Sequence, residues 1–128
     1  MKFPITETTM KAMYSMLREI PPFSKWGLPP KGSVTFLTFK TKESVKRRGT
    51  LLGEYGHFYP GGNKGKRHGI RINKGCNFHE LLSVMGHEMV HLKQEVSGTL
   101  VKGECHDKNF RRMASQVCKQ LGLNKKDF

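Results

Sequence analysis

A chain of 128 residues with 36% hydrophobic and 26% charged side chains is expected to fold as one domain, 1–128, too apolar to be disordered. Its formal charge of +13 favours polyanions, with nucleic acid the commonest and an anionic membrane or an acidic protein behind it, and says nothing about fold. Three cysteines without a C-x-x-C pair (Cys76, Cys105, Cys118) exclude a disulfide framework and a four-cysteine zinc ribbon. No apolar run approaches the ~18–20 residues of a membrane span and no signal-peptide pattern opens the chain, so a cytoplasmic protein without a membrane partner is expected.

Met10, Met13, Leu17 and Ile20 recur at helical spacing, Thr6 or Thr8 can cap the start, and Pro21-Pro22 ends the segment, which predicts a helix over 6–20. The loop FSKWGLPPKG follows and holds the only tryptophan. Residues 33–40 (SVTFLTFK) and 49–59 (GTLLGEYGHFY) are rich in β-branched and aromatic residues and read as strands, separated by the basic KTKESVKRR. PGGNKGKR reads as a turn, and HGIRIN (68–73) as a third strand. Asn77 and Glu80 form a capping box ahead of Phe78, Leu81, Leu82, Met85, Met89 and Leu92, so a helix is expected to run to Ser97-Gly98. A last helix begins near Asp107, carries Phe110, Met113, Ala114, Val117, Cys118 and Leu121, and stops at Gly122. Helix, three strands, helix, helix is an α+β order, and a small antiparallel sheet is expected.

The long middle helix contains GHEMVHLKQ, with His87, Glu88 and His91 in the pattern His-Glu-x-x-His. Residues four apart share a helix face, so both imidazoles can reach one ion at the ~2.0–2.1 Å that zinc requires. Glu88 lies about 100° round the cylinder from His87, off the ligand axis, where a general base for a zinc-activated water belongs. Gly86 allows close backbone approach. A catalytic zinc needs a third protein ligand. Gln94 and Ser97 stand where the metzincin pattern needs Gly and His, which excludes that class. Glu95 lies one turn too far along the same helix. Glu104, Cys105 and His106 all stand at the entry to the final helix, and His106 is preferred because Asp107 beside it can cap that helix.

GHEMVHLKQ followed by HDKNFRRMA resembles the SprT-like zinc metallopeptidases, the family of the Spartan-type protease core. That family has HExxH on one helix, a loop of about a dozen residues, then a third histidine in H-G-x-x-F ahead of an amphipathic helix. Here fourteen residues separate His91 from His106, and Phe110 stands at the family's Phe. The resemblance is specific over 77–121 and architectural before it. It implies a zincin-like minimal domain, one zinc ion on His87, His91 and His106, Glu88 as catalytic base, and endopeptidase activity. Asp107 stands where the family has Gly, which puts the local loop geometry in question, and the DNA-binding appendage of many members is not found in these residues.

Contact with DNA, single-stranded or junction-like, is therefore expected from the domain's own surface. Lys40, Lys42, Lys46, Arg47 and Arg48 crowd one inter-strand loop, and Lys64, Lys66 and Arg67 the next. Tyr55, His57, Phe58 and Tyr59 lie between them, and either fill the core or stack on bases; Tyr55, His57 and Tyr59 are also candidates for lining the substrate cleft. His68 and His79 read as surface or capping residues. The expected protein is a monomeric peptidase for DNA-associated proteins, nucleoid-associated in a bacterial or phage setting. The competing expectation is a nucleic-acid-binding module whose zinc is structural, with Cys105 as fourth ligand.

Overall fold

The computed structural model describes residues 3–40, 52–58, 64–99, 106–125 and 128. The first helix, α1 (Glu7–Arg18), starts on a capping box in which the Thr6 and Thr9 side chains each accept the other residue's backbone N–H, and it buries Met10, Met13, Tyr14 and Leu17. It ends two residues before Ile20. The following loop is tied to it by the Tyr14 hydroxyl, which donates to the Pro29 carbonyl at 2.5 Å, and by Arg18 Nε, which donates to Leu28 O at 3.0 Å. Burial raises the Tyr14 phenol far above its ordinary range, so it remains a donor.

Three strands follow, β1 (Val34–Phe39), β2 (Gly53–Phe58) and β3 (Lys64–Asn73), in the spatial order β1-β3-β2. β2 and β3 pair antiparallel, whereas β1 and β3 pair parallel, with Phe36 opposite Ile70. The sheet is mixed, which corrects the antiparallel expectation. Sequence neighbours need not be sheet neighbours: the stretch between Phe39 and Lys64 is long enough to carry the crossover that a parallel pair requires. β3 takes the central place because Ile70 and Ile72 are fully buried. Its start is a second correction. Lys64 to Arg67, which read as a turn, belong to β3, because pairing with β2 past an irregularity at His57/Phe58 overrides their loop-like composition. The Phe58 ring lies over Gly56 and Gly69, and a side chain on either glycine would collide with it.

The second helix, α2 (Phe78–Val96), packs on β2, β3, α1 and the last helix, and so forms the middle of the core. Its capping box is the expected one: Asn77 Oδ1 accepts Glu80 N–H at 2.8 Å and Glu80 Oε1 accepts Asn77 N–H at 3.0 Å. Leu81, Met85, Met89, Val90 and Leu92 are fully buried, but Phe78 is 49% exposed, and among the rings of the described residues it meets Phe3 in a T-shaped contact. The last helix, α3 (Lys108–Leu121), is capped by Asp107, whose Oδ1 accepts Phe110 N–H at 3.0 Å, and ends at Gly122 with φ +69°. Among the described residues no helix is long and apolar enough to cross a membrane.

Replacing Asn77 with Ala removes the cap of the central helix and is expected to cost about 1 kcal/mol, seen as a lower urea midpoint with an unchanged slope. Burial pushes the Cys76 thiol up to about 11 from 9.0. A group whose folded pKa is raised stabilises fully below the unfolded value, so this contribution is lost between those two pH values as the buried thiol is forced to ionise. Unfolding titrations across that window should show falling stability, with a shallower fall in Cys76→Ala; equal slopes in the two proteins would contradict the assignment.

Candidate metal centre

One turn of α2 brings His87 and His91 onto the same face, with their Nε2 atoms 3.2 Å apart. His106, just before the Asp107 cap of α3, completes a near-equilateral triangle, its Nε2 lying 3.1 Å from that of His91 and 3.2 Å from that of His87. A tetrahedral ion at ~2.0–2.1 Å from each nitrogen needs ligand edges of about 3.3–3.4 Å. The triangle is within a few tenths of an ångström of that.

The protons decide what this closeness means. A carbonyl oxygen only accepts, so His87 Nδ1–H donates to Phe128 O at 3.1 Å, and His91 Nδ1–H donates to Gln94 Oε1 at 2.7 Å. In the neutral rings both Nε2 atoms then present lone pairs to each other, which repel unless a cation lies between them. Burial holds both rings neutral: His87 is lowered from 6.5 to about 4, by burial and then by neighbouring His91, and His91 is lowered by burial. Three convergent imidazole nitrogens, two of them on rings with fixed tautomers, suit a transition-metal ion, and these three residues are close enough to hold one.

The rings are set by apolar packing. Phe110, one turn into α3, stacks on His91 (centroids 4.7 Å apart, planes at 24°) and touches His87 and His106 at 4.9 and 4.6 Å. The Asp107 cap therefore places His106 and the ring that backs all three ligands. Gly86 does allow close approach: a Cβ there would lie 3.2 Å from the Phe128 ring and 3.5 Å from Val117.

Glu88 is only 5% exposed and faces β2. Burial pushes its carboxyl up from 4.5 to about 8, against the opposing pull of the Tyr55 N–H, which donates to it. Gly53 is required here, since a Cβ would meet Val84 and the Arg71 carbonyl and come within 3.3 Å of Glu88 Oε2. A pocket of about 180 Å³ is lined by both His87 and Glu88, with Leu52, Gly53, Val84 and Phe128 forming the apolar wall. The three histidines of the expected centre are thus together, and one of them, His87, shares a cavity with the buried carboxyl of Glu88.

The other expected residues divide. Tyr55 and His57 lie on the face of β2 that looks at α2. Tyr55 holds Glu88 through its backbone, while its hydroxyl is 2.7 Å from His68 Nδ1. His57 Nε2 is 3.5 Å from Glu95 Oε1, so both point to each other and neither ligates. His68 is half-buried against Tyr55, and burial lowers its pKa, which corrects the surface or capping expectation. Arg67 donates from Nε to Thr35 Oγ1 at 3.0 Å and from its terminal nitrogen to Gly32 O, so its donors bind β3 to β1 and the turn before it. Lys40 is exposed. Lys42, Lys46, Arg47, Arg48, Tyr59, Glu104 and Cys105 lie outside the described residues, as do the side chains of Lys64 and Lys66.

Sequence reasoning missed Gln94 as the partner of His91, although its position three residues on was a usable signal. It also missed Phe128, which approaches His87 across 41 residues and left no local trace.

One divalent ion per chain is expected by metal analysis after zinc loading. Gln94→Leu should weaken it about 10- to 100-fold in chelator competition, and His106→Ala by more; unchanged affinity in both would overturn the ligand set. No family model matches this sequence, and a search of curated proteins gives no match.

Proposed function

We propose that this protein is a zinc-dependent endopeptidase of SprT-like type that acts on proteins associated with DNA. The observation that supports it best is a three-histidine cluster, one member of which, His87, lines the same pocket as the buried carboxyl of Glu88. Three histidine nitrogens, with no fourth protein ligand among the described residues, suit a catalytic zinc better than a structural one. Zinc held there supplies Lewis acidity to a peptide carbonyl and to a water molecule.

The chain's own residues do the rest. In its ionised form Glu88 takes a proton from the attacking water and returns it to the leaving nitrogen. The Tyr55 N–H donates to the Glu88 carboxylate and favours its ionised form. β2 is an edge strand of the described sheet and runs beside Glu88, so an extended substrate can add to it by main-chain hydrogen bonds. The net charge of +13 is the basis for the DNA part of the reading: a polyanion concentrates protein substrates near the pocket.

The test is cleavage of casein or histone by the zinc-loaded chain, with and without single-stranded DNA. Glu88→Gln is expected to lower the rate about 10²- to 10⁴-fold while zinc content stays at one per chain. Equal rates for the two proteins would remove Glu88 as the base.

A further inference from the structure

The exposed face of α3 has no role in the metal centre. Lys108, Arg111, Arg112, Gln116 and Lys119 are all exposed, and their spacing lines them along one side of the helix over about 17 Å. No acidic residue lies within α3. One end of this stripe adjoins His106. The other end opens into a groove of about 560 Å³, whose far wall is Pro21, Pro22, Lys25 and Trp26 and whose near wall is Gln116, Lys119 and Gln120.

Trp26 is held rigidly at that wall. Its ring meets Phe23 edge-on at 5.1 Å, and its carbonyl accepts Lys93 Nζ from α2 at 3.0 Å. The half-buried indole thus lines a cleft of small-ligand size, between two lysines and two side-chain amides. An aromatic platform, amides able to meet base edges, and a cationic track leading away are the elements that bind unpaired nucleotides. A membrane surface fits worse. The apolar face of α3 (Phe110, Met113, Val117) is buried in the core, and the outward face offers nothing to insert. A duplex fits worse as well, since its bases are stacked on one another and closed to an indole in a groove.

We propose that the groove between Pro21–Trp26 and α3 binds single-stranded nucleic acid. One base stacks on Trp26, and the phosphates follow Lys25, Lys119, Arg112 and Arg111 toward the metal centre. The site gives the DNA partner of the preceding reading a location. It does not depend on catalysis, because Glu88 takes no part in it.

Trp26 is the only tryptophan, so its fluorescence reports the site directly. The full chain is titrated with a short oligothymidylate, following fluorescence in one experiment and the anisotropy of a labelled oligomer in another. The single strand is expected to quench the tryptophan saturably. The logarithm of affinity should fall against that of salt with a slope of about −3 for four phosphates. The double variant Arg112→Glu, Lys119→Glu should retain its far-ultraviolet circular dichroism and bind at least about tenfold more weakly. Trp26→Leu should lose about 5- to 100-fold in anisotropy. Glu88→Gln should titrate like the parent, so failure of the peptidase reading and failure of this one are distinguishable. The proposal is overturned if the oligomer binds without quenching, or if the folded double variant binds as the parent does. Equal quenching by a duplex, by polyglutamate or by phosphatidylglycerol vesicles also overturns it.

Discussion

The proposed metal centre depends on three imidazole nitrogens that point at each other. Without a cation, lone pairs at 3.1–3.2 Å are a repulsive arrangement. They are held there by the hydrogen bonds on the far sides of two rings, to Gln94 and to the Phe128 carbonyl, and by Phe110 packed behind all three. α2 is enclosed by the sheet, α1 and α3, so two of the three histidines able to hold an ion, and Glu88, ride on a well-buried element. The third ligand is placed by a helix cap, a local device that needs no long-range assembly.

The same enclosure sets the character of Glu88. A carboxyl on a solvated helix face would stay ionised near its ordinary value, and it would be a weak base. Burial beside β2 raises its proton affinity, and the N–H donated by Tyr55 opposes that effect without cancelling it. Gly53 makes this possible by letting the strand come close enough for Tyr55 to reach it. The cost is a buried ionisable group in the core, which a protein with no use for it would replace by an apolar side chain.

Local rules made the helices and most of the site legible in the sequence. The Asn77–Glu80 box, the stripe from Leu81 to Leu92, the Asp107 cap and the four-residue spacing of His87 and His91 are all written within a turn or two. His106 was legible because a cap follows it immediately. The sheet was not legible in the same way. Strand order and the parallel β1–β3 pair are set by a long connection, which periodicity does not encode, and Lys64 to Arg67 become strand only through their partner β2. His68 and Phe128 were missed for one reason: each is defined by a residue far along the chain, Tyr55 across the hairpin for one and His87 across the core for the other.

The central claim is a site closed on three sides by histidine and open on the fourth. X-ray absorption at the zinc edge of the loaded chain measures that directly. The account predicts three nitrogen neighbours at ~2.0–2.1 Å, a light oxygen neighbour and no sulfur. A sulfur neighbour at ~2.3 Å, which Cys105 beside His106 would supply, would make the site a closed structural one and contradict it.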